Sequence, residues 1–297
     1  VSYIVTRVQV MEAQRLSPHW ARITLGGPGM REVGTPASPV YDQRIKVLVP
    51  RTPHPLPPLE GSTEWYRDWL ALPEAQRGDL RTYSIRHITP GLSLTVDFVL
   101  HLTGDATGPA AQWAASAQPG DEVLIVAPRR GPEDTAGIAF HPGRSLEVTL
   151  CGDETAAPAI ARILEDVRAH LPHLCVRAYI EVPTKADCLA IDAAPNATVE
   201  WLPREGAPLG SLLEAALRAH MSEHGGVDKH EPEALPAVST AEVLWEVPEE
   251  AGAGEYYWIA GESGVVRGLR RYLMREAGVA RSQVAFMGYW RRGVAMV

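Results

Sequence analysis

From Val1 to about Pro142, apolar and polar residues alternate in short runs: Tyr3–Val10, Ala21–Leu25, Asp42–Val49, Arg81–His87, Ser93–Leu100 and Glu122–Ala127, broken by Gly and Pro. A period of two is what a strand shows when it buries one face, and this succession of short strands predicts an antiparallel barrel. The segment Pro50–Gly78 interrupts the series. Its start, Arg51-Thr52-Pro53-His54-Pro55-Leu56-Pro57-Pro58, cannot be a central strand because proline offers no ladder donor. A long surface loop is expected there, with a short helix around Trp65–Leu72. The one helical stretch in this half is Ala110–Ala117, between turns at Gly108-Pro109 and Pro119-Gly120-Asp121.

After Gly143 the period changes. Strand and helix patterns follow one another: Ser145–Cys151 then Ala156–His170, Cys175–Val182, Ala197–Leu202 then Leu209–Glu223, Glu255–Ala260 then Val265–Ala277, and Gln283–Tyr289. Strands alternating with helices predict a parallel sheet. The expected fold class is therefore two-domain β + α/β, an N-terminal antiparallel β-barrel over residues 1–142 and a C-terminal parallel-sheet α/β domain over 143–297. Gly225–Leu235, rich in charge, His and Pro, reads as an exposed loop of the second domain.

The chain's 297 residues, 45% hydrophobic, suffice for two cores of ordinary size. With 28 Lys+Arg against 36 Asp+Glu the net charge is −8, which argues against nucleic acid as a partner. The apolar runs fall short of the roughly 20 residues of a membrane-spanning helix, so no membrane insertion is expected. The N-terminal Val1–Arg7 alternates like a strand and lacks the order of a signal peptide, so a cytoplasmic location is the expectation. Cys151, Cys175 and Cys188 show no Cys-x-x-Cys spacing; they read as buried small hydrophobes, with no disulfide framework, zinc or iron–sulfur site. His54, His141, His170, His173, His220, His224 and His230 fall in predicted loops or helix ends without ligand spacing, which speaks against haem or metal.

An α/β half of this size invites a search for Gly-x-Gly-x-x-Gly after its first strand, where glycines bring a dinucleotide pyrophosphate to a helix N-terminus. The sequence there is instead Gly152-Asp153-Glu154-Thr155-Ala156-Ala157-Pro158, with two acidic side chains where a phosphate would approach. It reads as a strand-to-helix turn, with Thr155 able to cap the helix and Pro158 in its first turn. The barrel half holds better material. Arg81-Thr82-Tyr83-Ser84 offers a guanidinium fork for phosphate, a ring to cover a flat cofactor and a hydroxyl, with Arg81 and Tyr83 on one face by strand alternation. Gly108-Pro109-Ala110-Ala111-Gln112-Trp113 opens a helix with small residues that leave its N–H groups to an anion. Each signal taken singly also fits an ordinary strand or cap.

Together with Asp97-Phe98-Val99-Leu100-His101, Gly152–Ala159 and the terminal Gly288-Tyr289-Trp290-Arg291-Arg292-Gly293, these motifs form a collinear set that resembles the siderophore-interacting protein family, flavoproteins on the ferredoxin–NADP⁺ reductase fold. The resemblance runs from about Tyr3 to Gly293. It implies FAD in the barrel, with Arg81 at the pyrophosphate, Thr82 beside it, Tyr83 against the flavin and Ser84 near its N5. Asp97, Phe98, Val99 and His101 would lie beside the cofactor, Gly108, Pro109, Ala110, Ala111 and Trp113 would hold the pyrophosphate, and Thr155 would border the flavin. Gly152, Asp153, Glu154 and Thr155 would line the donor site, to which Glu181, Gly261 and Glu262 are also assigned. Lys46, Arg129 and Arg291 match cations that contact an anionic ferric siderophore in the family, with Arg130 an equal candidate to Arg129.

The implied activity is reduction of a ferric siderophore through FAD, with NAD(P)H or a reduced ferredoxin as electron donor. Fe(II) is held far less tightly by hard oxygen ligands, so reduction amounts to release. No side chain needs to act as acid, base or nucleophile. A flavin reductase of another acceptor and a non-catalytic siderophore binder are the rival readings. Glu181 would repel a 2′-phosphate and favour NADH, whereas Lys185 and Arg204 could reverse that preference.

Overall fold

The computed structural model describes residues 3–35, 39–101, 108–131, 136–224, 244–249, 251–252 and 254–294. The chain divides into two compact units, one built on Val1–Ile138 and the other on Ala139–Val294.

The first unit is one antiparallel sheet. Strands β1 (Tyr3–Ser17), β2 (Trp20–Gly26), β3 (Arg44–Val49), β4 (Asp79–Ser84), β5 (His87–Thr89), β6 (Ser93–Val99) and β7 (Glu122–Pro128) lie in the order β4-β3-β7-β1-β2-β6-β5. Its two edge strands are consecutive in the chain, so the sheet must curl. The Ile85 N–H donates to Gln43 O beside β3, and the next one, Arg86 N–H, donates to Thr95 O of β6. The run expected as one strand, Arg81–His87, is thus split into β4 and β5 at the corner of a half-barrel. β1 runs past Val10 because it changes partners, pairing β7 through Tyr3–Gln9 and β2 through Gln9–Ser17. Met11–Arg15 are exposed, so no alternation marks that extension.

The concave face carries the main core, with Ile23, Leu25, Ile45, Val47, Val96, Phe98 and Ile125 essentially inaccessible. Helix α2 (Pro109–Ser116) packs on it through Ala110, Ala111 and Ala114, whose small side chains let the helix axis come close. The Pro50–Gly78 segment does more than run over the surface. Its Leu56, Leu59 and Trp69, the last on helix α1 (Trp65–Ala71), cover Val5, Leu48, Leu80 and Leu124 on the convex face as a second small core. Burial of each such side chain is worth roughly 1.5–3 kcal/mol, and Trp69 Nε1 keeps its bond by donating to Arg77 O at 2.9 Å.

In the second unit, strands β8 (Glu147–Gly152), β9 (Cys175–Val182), β10 (Ala197–Pro203), β11 (Trp245–Glu246), β12 (Tyr256–Glu262) and β13 (Val284–Trp290) lie in the order β10-β9-β8-β12-β13-β11. All neighbours are parallel except β11, which pairs antiparallel with β13. A two-residue strand carries no period, which is why β11 went unread in the sequence. Helices α3 (Ala157–His170), α4 (Ser211–His224) and α5 (Ser263–Arg271) accompany the sheet. The helical pattern expected to Ala277 turns into a π-helical turn over Tyr272–Glu276, closed by Ala277 N–H on Tyr272 O. Strand order reverses between β8 and β12, the place where open α/β sheets take ligands. The loop expected at Gly225–Leu235 lies outside the described residues.

Two sequence expectations need correction. Only Cys151 is buried; Cys175 is exposed and Cys188 half-buried. His220 is neither in a loop nor at a helix end. It continues the stripe of Leu213 and Leu217 on α4, at helical spacing, and is 1% exposed. Its Nε2 lies 2.9 Å from Glu255 Oε1, which also accepts from Thr149 Oγ1 at 2.5 Å, while Glu255 Oε2 accepts from Tyr257 OH at 2.8 Å. Burial alone would raise the Glu255 carboxyl, but the bonds from His220, Thr149 and Tyr257 outweigh it and hold it below its ordinary value. A carboxyl depressed by folding contributes stability above its unfolded value of 4.5 and loses it as pH falls through the depressed value. Glu255→Gln should therefore be clearly less stable than the parent at neutral pH, with the gap narrowing in acid. Denaturant midpoints at the two pH values check this, and a gap of constant size would refute it.

Candidate functional site

β4 presents the two faces of the Arg81–Ser84 motif to different surroundings. Opposite it on β3, Arg81 pairs with Val47 and Tyr83 with Ile45, both core residues of the concave face. Arg81 and Tyr83 therefore share the concave side, and the Tyr83 ring lies 4.4 Å from Phe98, which in turn lies 5.6 Å from Trp113 of α2. Burial raises the Tyr83 phenol well above its ordinary value, so it stays neutral. Arg81 donates to the Leu80 carbonyl at 2.7 Å and makes no ion pair among the described residues. α2 packs against β2, β3, β4 and β6. Its first turn contains no acidic residue, and among the described residues none crowds Gly108 at its N-cap or caps the helix with a side chain. A cation without counter-charge, a neutral ring and a helix start uncapped among the described residues thus belong to one side of the half-barrel, and these groups fit a ligand that is both flat and anionic.

The other face of β4 is different. Thr82 points away from Arg81 and accepts from Lys46 Nζ at 3.2 Å, across the strand pair. Burial, and then the charge of Arg44, push the Lys46 amine below its ordinary value. No carboxylate compensates it among the described residues. Ser84, opposite Arg44, is buried at the end of β4. On β6, Phe98 faces the core while the Asp97 carboxylate is held by Arg22 through two bonds of 2.7 Å, with Arg86 at 3.7 Å. The Asp97 side chain is a structural anchor, leaving only its backbone for a ligand. Val99 pairs with Trp20 on β2, and His101 follows, half-buried. Arg129 forms an exposed ion pair with Glu32 at 3.1 Å, whereas the Arg130 side chain lies over Gly34 and beside Gly91.

In the second unit the acidic residues at the sheet's switch point are engaged. Asp153 is 4% exposed and accepts four bonds: from the Thr155 N–H at 2.9 Å and hydroxyl at 2.5 Å, the Glu262 N–H at 2.7 Å and Trp290 Nε1 at 2.8 Å. It ties the ends of β8, β12 and β13 together. Burial and the adjacent Glu154 charge push its carboxyl up to about 6, against the pull of Thr155 and Trp290. This group therefore costs stability as pH rises from 3.8 to about 6. Thr155 does not cap α3, since its hydroxyl is spent on Asp153 and the N-cap position is Ala156. Gly152 and Gly261 allow the close approach: a Cβ on Gly152 would meet Ala156 Cβ at 2.4 Å, and one on Gly261, at φ +146°, would meet Asp153 Oδ2 at 2.7 Å. Glu262 caps α5 by accepting from the Gly264 and Val265 N–H groups at 2.6 and 3.0 Å.

Glu154, 1% exposed, and Glu181, fully buried, share Arg204. The guanidinium donates to both oxygens of Glu154 at 2.8 and 3.0 Å and to Glu181 Oε1 at 3.2 Å. Glu181 also accepts from Gly210 N–H at 2.7 Å and Leu213 N–H at 3.1 Å at the start of α4. Glu181 and Arg204, the residues expected to weigh NADH against NADPH, are thus bonded to each other and to the fold. Lys185 belongs to a turn whose own N–H donates to Glu205 at 2.7 Å.

Residues 146–293 match the siderophore-interacting protein family, and residues 9–132 match the siderophore-interacting FAD-binding domain. The chain belongs to the siderophore-interacting protein family. An uncharacterized protein of Mycobacterium tuberculosis is 32% identical over 296 residues, covering 96% of this chain and 89% of that protein. The NADPH-dependent ferric-chelate reductase of Escherichia coli is 26% identical over 287 residues, 95% of this chain and 91% of that one. Among solved structures, a siderophore utilization protein from T. fusca superposes with a TM-score of 0.69 at 27% identity, over 99% of this chain and 95% of that one. A ferredoxin NADP⁺ reductase from Neisseria gonorrhoeae with bound FAD and NADP has a TM-score of 0.58 at 15% identity, over 96% of this chain and 99% of that one. The siderophore-interacting proteins thus share the ferredoxin reductase-like fold, as the half-barrel and parallel sheet lead one to expect.

Within this member of the siderophore-interacting protein family, two functional roles escaped the sequence. Trp290 stood in a quoted motif, but nothing in its spacing announced that its indole N–H would reach Asp153 across 137 residues. Arg204 was set against Glu181 in the sequence only as a counterweight in donor preference; the parallel pairing of β9 and β10 places it in a direct ion pair with both Glu181 and Glu154. Arg291 forms a bridge with Val294 and is half-buried, without an ion pair among the described residues. No helix among the described residues is long and apolar enough to cross a membrane.

Proposed function

We propose that this chain reduces ferric siderophores with FAD held in its half-barrel and so releases iron as Fe(II). The observation that carries this reading is Arg81, without an ion pair among the described residues, on the same side as Tyr83 and on a strand packed against α2, in a chain whose first half matches a siderophore-interacting FAD-binding domain. Arg81 and the Gly108–Ala111 N–H groups would hold the cofactor's diphosphate, and Tyr83, backed by Phe98, would support its ring. FAD, when bound, supplies a two-electron acceptor that can give up its electrons singly, which is what an Fe(III) substrate requires.

The chain's own residues then have positioning and electrostatic work. The neutral Tyr83 phenol excludes water from one side without adding charge. Lys46 is the cation best suited to an anionic ferric chelate, because burial has already cost it hydration and no carboxylate among the described residues competes for it. Arg129 and Arg291 join it in this reading, although Arg129 must first leave Glu32. Relatives named as ferric-chelate reductase and ferric vibriobactin reductase, each 26% identical, support the substrate class. NAD(P)H or a reduced ferredoxin would supply the electrons.

The deciding experiment is anaerobic. The flavin in the purified protein is reduced chemically, a ferric siderophore is added, and Fe(II) is trapped with a chromogenic chelator. Flavin reoxidation matched by Fe(II) appearance supports the proposal; binding without reoxidation would leave only a siderophore binder. With turnover established, Lys46→Ala should raise the KM for an anionic ferric catecholate about threefold to tenfold, a loss of roughly 0.7–1.4 kcal/mol. A neutral ferric hydroxamate should respond much less, and salt should bring parent and variant together. Equal effects on both chelates would remove Lys46 from the receptor.

A further inference from the structure

The crevice beyond β8 and β12 is where a parallel sheet of this strand order takes a nucleotide, and free N–H groups at helix starts are what a diphosphate uses there. Here the N–H groups at the starts of α4 and α5 are spent on the chain's own carboxylates, while those of Ala156 and Ala157 at the start of α3 go to the Asp153 carbonyl. Glu181 takes the Gly210 and Leu213 N–H groups at the start of α4, and Glu262 takes those of Gly264 and Val265 at the start of α5. Asp153 takes the N–H groups of Thr155 and Glu262 in the two turns that leave β8 and β12. These are not scattered caps. Asp153, Glu181, Gly210, Leu213, Gly261 and Glu262 line one narrow cleft. Its nearby cation, Arg204, is already bound to Glu154 and Glu181. The second unit also carries most of the chain's net negative charge.

We infer that Glu181, Glu262 and Asp153 determine donor specificity by occupying the anion positions of the parallel-sheet unit, so that a dinucleotide's diphosphate is excluded from this crevice. A diphosphate entering there would have to displace a carboxylate from two N–H groups and then lie against the displaced charge. A nicotinamide donor, where one is used, must be held by other contacts, and selection between NADH and NADPH cannot rest on Glu181. The inference builds on the reading of this chain as a reductase with an electron donor, but its test measures binding and needs no turnover.

The test follows backbone amide signals of the ¹⁵N-labelled full chain, loaded with its flavin, during titration with inorganic pyrophosphate and with ADP-ribose. In the parent, the Gly210, Leu213, Gly264 and Val265 amides should show no saturable shift into the millimolar range. Glu262→Ala frees two N–H groups and removes a charge, so Gly264 and Val265 should then shift saturably, with affinity at least about tenfold above the parent's. Glu262→Gln keeps an accepting oxygen and the helix cap while removing the charge. It should bind pyrophosphate more weakly than Glu262→Ala and more tightly than the parent, and it serves alone should the alanine variant not fold. Saturable shifts of these amides in the parent, or no gain in either variant, would overturn the inference. A failure of the reductase reading shows elsewhere, as absent Fe(II) production from chemically reduced flavin.

Discussion

Arg204→Met should lower the stability of the parallel-sheet unit by about 3–5 kcal/mol, the usual cost of removing one partner from a buried ion pair. Methionine replaces most of the side-chain volume but none of the charge. What it leaves behind is unequal. Glu181 keeps two backbone N–H donors from α4, whereas Glu154, 1% exposed, loses both guanidinium bonds. Both carboxylates lose a buried counter-charge, and adding Glu154→Gln should recover part of the loss, because a neutral amide no longer demands one. Arg204→Lys should not restore the parent, since one ammonium cannot hold both oxygens of Glu154 and reach Glu181 together. Denaturant midpoints of this unit's transition measure all four proteins. A loss below about 1 kcal/mol for Arg204→Met would mean that water reaches Glu154 and that the network is not a buried one.

The same network shows where the sequence was readable and where it was not. Local pattern located β3, β6, β7, β9 and α2 almost to the residue, because each is a short apolar or alternating run bounded by turn residues, or, for α2, opens on a punctuating Gly-Pro. It failed where tertiary partners set the outcome. The corner at Ile85-Arg86 has no local mark, since the change of hydrogen-bond partner from Gln43 to Thr95 depends on a sheet whose edges are distant in order and adjacent in chain. His220 looked like an ordinary polar residue because its partner Glu255 is 35 residues away. The acidic turn after β8 was legible as a strand-to-helix turn from its residue types, but the internal partners of Asp153 and Glu154 were not. That Glu181 and Glu262 occupy helix starts in the same cleft required β8, β9 and β12 to be aligned first.

The two units therefore treat anions in opposite ways with the same device. In the half-barrel the α2 start has, among the described residues, no side-chain cap and no acid in its first turn, and the strand it packs against carries an arginine without an ion pair. In the parallel-sheet unit the starts of α4 and α5 are each filled by a buried glutamate. A helix terminus favours negative charge in either case, and what differs is whether the protein supplies the charge or leaves it to a ligand. Under the proposed function, this contrast is the reason to expect the diphosphate of FAD in the first unit, and Arg81 to bear on its affinity.

Arg81→Ala should weaken FAD about tenfold to a hundredfold, corresponding to roughly 1.5–3 kcal/mol for a charge-assisted hydrogen bond to phosphate. The half-barrel itself should be little disturbed, because the Arg81 side chain donates only to the neighbouring Leu80 carbonyl and supports no ion pair among the described residues. Arg81→Lys should fall between parent and alanine variant, keeping the charge but losing the planar fork. Riboflavin provides the internal control. It offers the same ring to Tyr83 but no phosphate, so its affinity should be nearly the same in all three proteins. Quenching of flavin fluorescence on titration into flavin-free protein measures each constant, and heat release followed by chromatography identifies the native cofactor. Should Arg81→Ala bind FAD as tightly as the parent, or should riboflavin lose as much affinity as FAD, Arg81 does not hold the diphosphate, and the α2 start would have to carry it alone.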